Sequence, residues 1–220
     1  MIGIGIVILV SLSGPFPEEE IDYTTELYCC LGGAYTKLDK QGRAIECFLK
    51  ASELDPDNAE IHQALGQEYM KADRYETAIA HFQKAIEREP DFADAHHSLG
   101  LALAKQRKYE DAAREFMEAL RIAPSYAKGY YHLGNALVQQ GRVVEAVEHY
   151  LKALEIDPNL AESHHNIANA LAILGRRNEA MIHYREALRL RSHWPEVERA
   201  MNVLLSSPSK GAAGKESRAE

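Results

Sequence analysis

Residues 130–171 read YYHLGNALVQQGRVVEAVEHYLKALEIDPNLAESHHNIANAL. Inside this segment, Leu-Gly-Asn at 133–135 is followed 34 positions later by Ile-Ala-Asn at 167–169. An apolar residue, a small residue and an asparagine thus return in the same order. Self-similarity at a fixed interval is typical of repeat proteins, so the period of the whole chain is the first property to establish.

Prolines mark the same period along the chain. Pro56, Pro90, Pro124 and Pro158 follow one another at intervals of 34 residues. Counting back from each proline divides the sequence into five units, which span 25–58, 59–92, 93–126, 127–160 and 161–194. Positions within a unit are called places 1 to 34 below.

Each unit is predicted to form a helical hairpin. Place 7 is leucine or isoleucine and place 8 is glycine or alanine, while places 20 and 27 are alanine and place 24 is aromatic. Places 4, 7, 8 and 11 have the spacing of one apolar helix face, and places 20, 24 and 27 form the face of a second helix. Proline at place 32 ends that second helix. The sequence therefore predicts an all-α protein.

Glycines at two places indicate how the hairpin closes. We expect glycine at place 8 to let the small alanine of the second helix approach the first. Gly141 and Gly175, at place 15, would supply the left-handed residue that ends the first helix. Arg107 occupies that place in the third unit, so a looser turn is expected there.

The 34-residue signature strongly resembles the tetratricopeptide repeat family. The first unit carries all eight signature positions: Tyr28, Leu31, Gly32, Tyr35, Ala44, Phe48, Ala51 and Pro56. Units 3 to 5 look most similar to the repeats of O-linked N-acetylglucosamine transferases and related bacterial proteins. The fifth unit departs from the pattern, with Ala168 at place 8 and Ser192 at place 32. The resemblance implies a right-handed superhelical solenoid over residues 25–194.

The segments outside the units have other compositions. Residues 1–13 begin with ten apolar residues, too few to cross a membrane alone, and fit a signal peptide, an anchor or the remnant of a longer membrane segment. We therefore favour membrane attachment or export slightly over a cytoplasmic location. Residues 14–24 are predicted to be a linker, 195–205 an amphipathic capping helix and 206–220 a disordered tail.

Composition and motifs argue against several functions. The net charge of −8 disfavours nucleic acid as a partner. Cys29, Cys30 and Cys47 make neither a disulfide framework nor a zinc motif. We find no nucleophile, phosphate-loop or metalloprotease motif, so neither an enzyme nor a cofactor is predicted.

Histidine pairs occur at His96–His97 and His164–His165. The two pairs are 68 residues apart, which is two periods, so both fall at places 4 and 5. Like places in adjacent units lie roughly 10 Å apart, the spacing of packed helices, too far for shared metal ligands. We interpret these histidines as packing residues, some of them facing a groove, and predict no metal site.

A binding surface is predicted on the side of the first helices opposite their apolar face. In the tetratricopeptide family, places 2, 5, 9 and 12 line a concave groove, and places 5, 9 and 12 carry no charged residue in any unit. Mutual burial of neighbouring helices would exclude charge equally well. The candidate groove residues are Gln63, Gln67, His97, Leu101, Tyr131, Asn135, His165, Asn166 and Asn169.

The sequence thus predicts a non-catalytic scaffold that holds a protein or peptide segment in its concave groove. In the related glycosyltransferases, asparagines hold the backbone of an extended peptide, and this resemblance attaches to Asn135 and Asn169. The alternative is the substrate-recognition region of a membrane-linked glycosyltransferase whose catalytic part is absent.

Overall fold

The computed structural model describes residues 24–206, which form eleven α-helices in chain order. They are α1 Thr24–Lys37, α2 Gln41–Leu54, α3 Ala59–Lys71, α4 Tyr75–Arg88, α5 Ala93–Lys105, α6 Tyr109–Ile122, α7 Ala127–Gln139, α8 Val143–Ile156, α9 Ala161–Ile173, α10 Arg177–Leu190 and α11 Pro195–Ser206. Each of the five units contains one odd-numbered and one even-numbered helix, and α11 follows them. The predicted all-α solenoid is confirmed. The predicted leader at 1–13, nearly all of the linker and the predicted tail lie outside the described residues.

Successive helices pack as antiparallel neighbours, and the first helices of adjacent units also contact one another. These additional contacts join α3 to α5, α5 to α7 and α7 to α9. The odd-numbered helices therefore form the inner layer of the solenoid and the even-numbered helices the outer layer. Between residues 24 and 206, no helix is long and apolar enough to span a membrane.

The core follows the repeating places. Alanine at places 20 and 27 is completely buried in all five units, and the aromatic side chain at place 24 is at most 7% exposed. Leucine or isoleucine at place 7 is buried in units 2 to 5, whereas Leu31 is 39% exposed. Leu31 differs because none of the described residues precedes α1 in the stack.

Glycine at place 8 makes room for an aromatic ring. A Cβ atom on Gly66 would lie 2.4 Å from Cε1 of Phe82, and Gly32, Gly100 and Gly134 face the place-24 ring of their own units in the same way. Our expectation that the alanine of the second helix fills this space was wrong. In units 1 to 4 the flat ring packs directly on the backbone of the first helix, where an added methyl group would force the ring to shift.

Place 15 closes the first helix in every unit. Its residue has a positive φ throughout: Asp39 55°, Asp73 55°, Arg107 62°, Gly141 78° and Gly175 76°. The looser turn expected at Arg107 was wrong, because its N–H donates to Ala104 O at 2.9 Å, as that of Gly141 donates to Val138 O at 2.9 Å. The backbone hydrogen bonds hold the turn in the same shape whichever side chain it carries.

Histidine at place 4 contacts both the proline at the end of the preceding unit and the second helix of its own unit. The Nε2 atom of His62 lies 3.0 Å from the carbonyl oxygen of Pro56, and its Nδ1 lies 3.2 Å from Nδ1 of His81 at place 23. The equivalent pairs are His96 with Glu115 at 2.7 Å and His164 with His183 at 3.0 Å. Within residues 24–206, no group of three or more potential ligand side chains is arranged to hold a metal ion.

Candidate functional site

A groove with a volume of about 470 Å³ lies on the inner layer across units 3 to 5. Helices α5, α7 and α9 form its floor, and the place-24 rings Phe116 and Tyr150 of the outer layer reach it from below. The apolar part of its lining includes Leu101, Ala104 and Val138. Residues from three consecutive repeats thus share one surface, as the helical stacking requires.

Four of the predicted groove residues line this groove. They are Leu101, Asn135, Asn166 and Asn169. Leu101 belongs to unit 3 and the three asparagines to units 4 and 5. The groove therefore combines apolar side chains with amide groups.

Two predicted residues are buried instead. Gln63 is 6% exposed, and its Nε2 donates to Ser98 Oγ at 2.9 Å. His97 is 7% exposed, and its Nδ1 lies 3.2 Å from the hydroxyl of Tyr126. Both side chains lie in the contact between one first helix and the next unit. The structure does not bring either of them into the groove.

The other three predicted residues lie elsewhere on the inner layer. Gln67 is exposed on α3 outside the groove. Tyr131 is half-buried, with its ring centroid 4.9 Å from His132 and 6.1 Å from Tyr150. The ring of His165 packs on Trp194 at 4.9 Å. Tyr131 and His165 support the groove from its side without lining it.

Hydrogen bonds hold the asparagine side chains in place. The Oδ1 atom of Asn135 accepts from the hydroxyl of Tyr150 at 2.7 Å and from Nδ2 of Asn166 at 2.6 Å. In unit 5 the hydroxyl of Tyr184 donates to Oδ1 of Asn169 at 2.6 Å. Both pairs join place 9 to place 24 of the same unit.

The groove is electrically neutral apart from one side chain. Among residues 24–206, Lys105 is the only charged residue in its lining. Burial, followed by the charges of His97 and Lys128, lowers the pKa of His132 from 6.5 to about 4, so its imidazole is neutral at pH 7. Burial also raises the pKa of Tyr150 and of Tyr184, so both hydroxyls remain protonated donors.

Sequence reasoning missed His132, Tyr150 and the apolar residues between the asparagines. A signal for the tyrosines was present, because place 24 is phenylalanine in units 1 to 3 and tyrosine in units 4 and 5. The change coincides with asparagine at place 9. Two places that lie 15 residues apart in the unit thus change together.

The stack of helical hairpins around a repeating buried core defines the class of α-helical repeat solenoids. Models of the tetratricopeptide repeat match residues 32–73, 63–127, 134–175 and 161–193. The chain belongs to the tetratricopeptide repeat family. No curated protein matches it significantly.

Solved structures of the same fold cover most of the chain. MamA is 27% identical, with 78% of this chain and 94% of that chain covered at a TM-score of 0.71. YrrB, described as a TPR protein with an unusual peptide-binding site, is 22% identical over 80% of this chain and 90% of its own, with a TM-score of 0.69. PilF of Pseudomonas aeruginosa is 22% identical over 80% of both chains, with a TM-score of 0.73.

Proposed function

We propose that the protein is a non-catalytic scaffold that holds an extended peptide segment of a partner protein in the groove of units 3 to 5. The observation that carries this proposal is the composition of the groove. An apolar floor that includes Leu101 and Val138 continues into the amide groups of Asn135, Asn166 and Asn169. Such a surface offers apolar contact to a side chain and hydrogen bonds to a peptide backbone.

The charge of the groove indicates how a ligand would be held. With Lys105 as its only charged lining residue, affinity would depend on hydrogen bonds and apolar contact. Binding is therefore expected to change little with salt. Asn135 and Asn169 also carry the resemblance to the O-linked N-acetylglucosamine transferases, whose asparagines hold a peptide by its main chain.

Filling the groove tests this proposal. Ala104, at place 12, lines it, and the same place holds the larger Met70 in unit 2. Ala104→Met thus introduces a side chain that the repeat accepts, and Ala104→Ser is the control of nearly unchanged size. The probe is a phage-displayed library of random 12-residue peptides, selected on the wild-type protein.

The selected peptides should bind the wild type and Ala104→Ser with equal affinity. They should not bind Ala104→Met. Circular dichroism should show the same helix content for all three proteins. If the library yields no binders, or if Ala104→Met retains them, the groove does not bind peptides.

We also propose that residues 1–13 attach the protein to a membrane or direct its export. The support is their composition alone, ten apolar residues followed by Ser-Leu-Ser. Fractionation of cells should recover the full chain with membranes or in shortened form. A chain that lacks residues 1–13 should be soluble and unshortened, and identical behaviour of the two chains would contradict the proposal.

A further inference from the structure

We propose that Tyr150 and Tyr184 are positioning residues, whose hydroxyls orient Asn135 and Asn169 so that the groove presents N–H donors and selects ligands by their hydrogen-bond acceptors. This inference rests on the proposed function and adds the chemistry of recognition.

The oxygen of Asn135 is already saturated. A carboxamide oxygen has two lone pairs, and Oδ1 of Asn135 accepts from Tyr150 at 2.7 Å and from Asn166 at 2.6 Å. No hydrogen-bond partner lies within reach of its Nδ2 among residues 24–206, and the side chain lines the groove. Asn135 can therefore only donate to a ligand, with two N–H groups.

Asn169 repeats the arrangement one unit later. Its Oδ1 accepts from Tyr184 at 2.6 Å, and its Nδ2 lies 3.0 Å from Nε2 of His165, to which it donates one hydrogen. The second N–H of the amide remains for the groove. Units 4 and 5 thus expose three amide hydrogens from place 9.

The residue at place 24 explains why the tyrosine–asparagine hydrogen bond occurs in units 4 and 5 and not in units 1 to 3. The side chain of Tyr150 is 1% exposed and that of Tyr184 is 3% exposed. A buried hydroxyl requires a partner, and asparagine at place 9 of the same unit supplies it. Units 1 to 3 combine phenylalanine at place 24 with Gly33, Gln67 or Leu101 at place 9, so they need no such partner.

The ligand that fits these donors is an extended peptide recognised through its main-chain carbonyl groups. An extended strand leaves its carbonyls free to accept, and its side chains alternate between two faces. An apolar side chain of that strand would contact Leu101 and Val138 in the groove lining. A phosphate or carboxylate ligand is disfavoured, because the described part of the chain contributes a single cation, Lys105, to the lining.

The experiment uses a 12-residue peptide selected from the phage library on the wild-type protein. Tyr150→Phe removes one hydroxyl and releases the amide of Asn135 to rotate. We expect this variant to bind the peptide about 5- to 10-fold more weakly, the effect of one hydrogen bond. Tyr35→Phe is the matched control, because it removes a hydroxyl from α1, outside the groove lining.

Two further measurements separate positioning from a merely structural role. In ligand-free protein, the side-chain amide signals of Asn135 in a ¹H–¹⁵N spectrum should shift and broaden in Tyr150→Phe, while the main-chain signals of α9 stay in place. Introducing the tyrosine–asparagine pair into unit 3 should have the opposite effect on affinity. The double variant Leu101→Asn/Phe116→Tyr should bind the peptide more tightly than Leu101→Asn alone.

Two contrary outcomes have different meanings. The positioning role would be overturned if the amide signals of Asn135 did not change in Tyr150→Phe. It would also be overturned if Tyr150→Phe bound the peptide as tightly as the wild type while Asn135→Ala bound it more weakly. Either result would leave the groove as the peptide site. Peptide binding that survives Ala104→Met would overturn the proposed function, and the positioning inference with it.

Discussion

Lowering the pH from 7.5 to 5.0 is expected to loosen unit 2 at its histidine pair. Nε2 of His62 donates to the carbonyl oxygen of Pro56, so Nδ1 of this ring is an acceptor and Nδ1 of His81 is the donor. An added proton on the His81 imidazole would go to its Nε2 and leave a positive charge in a half-buried site beside His62. Lys84 adds positive charge from α4, and the ring of Tyr69 stacks on His81 at 5.4 Å.

The magnitude follows from the pKa of His81. Burial, followed by His62 and Lys84, lowers this pKa from 6.5 to about 4 in the folded protein. Because the folded pKa lies below the unfolded one, the stabilisation is complete above pH 6.5 and is lost as the pH falls from 6.5 toward 4. At pH 5.0 the ratio of open to closed unit 2 should rise by at most about 30-fold, or about 2 kcal/mol, and by less where solvent screens the half-buried ring.

Unit 3 supplies the matched comparison. There Nδ1 of His96 lies 2.7 Å from Oε2 of Glu115, so a carboxylate takes the place of the second imidazole. His81→Glu should reproduce this pair in unit 2 and remove most of the pH effect, whereas Glu115→His should make unit 3 acid-sensitive. His97 and His132, whose pKa values burial also lowers to about 4, contribute equally to wild type and variants.

Hydrogen exchange measured by mass spectrometry can follow each unit separately, after correction for the pH dependence of intrinsic exchange. Peptides from α3 and α4 should lose protection between pH 7.5 and 5.0 in the wild type and retain it in His81→Glu. The same loss of protection in both proteins would show that His81 does not cause the acid sensitivity of unit 2. His193→Gln is the control for general effects of histidine removal, since His193 is exposed.

Two predictions concern stability. Gly66→Ala should lower the free energy of unfolding by about 1–3 kcal/mol, because the added Cβ meets the ring of Phe82 at 2.4 Å. Gly33→Ala, with nothing within 4 Å of its added Cβ, should raise it by up to about 1 kcal/mol in the same urea titration. At the C-terminal end, Val197→Ala should cost about 1–2 kcal/mol and Val203→Ala almost nothing, because Val197 is completely buried and Val203 is 65% exposed. Equal effects within either pair of variants would contradict the packing described for it.

The period of 34 residues made the fold predictable. Alanine, glycine and aromatic residues at fixed places specify which faces of two helices must meet, and the structure buries those faces. The partner of glycine at place 8 was not predictable from spacing alone, because the ring of Phe82 and the methyl of Ala78 lie on one helix face. The turn at Arg107 was misjudged because side-chain preference was weighed without the backbone hydrogen bonds that fix the turn.

The site was predictable only in part. Asn135, Asn166, Asn169 and Leu101 line the groove. Gln63 and His97 are buried, whereas Tyr131 and His165 at the same place are only half-buried. Burial on the inner layer depends on what the next unit presents. Ser98 binds the side-chain amide of Gln63, for example, and a one-unit pattern does not contain that information. For the same reason, the bond from Tyr150 makes Asn135 part of the packing as well as of the groove.

The most direct test of the groove as a peptide site is a ¹H–¹⁵N titration of the protein with a library-selected peptide. If the peptide binds in the groove, the side-chain amide signals of Asn135 and Asn169 will move with peptide concentration, together with main-chain signals of α5, α7 and α9. The same shifts should persist when the salt concentration is raised tenfold, because no ion pair holds the ligand. Shifts confined to α4, α6, α8 and α10, with the asparagine amides unmoved, would place the binding surface on the outer layer and contradict the account.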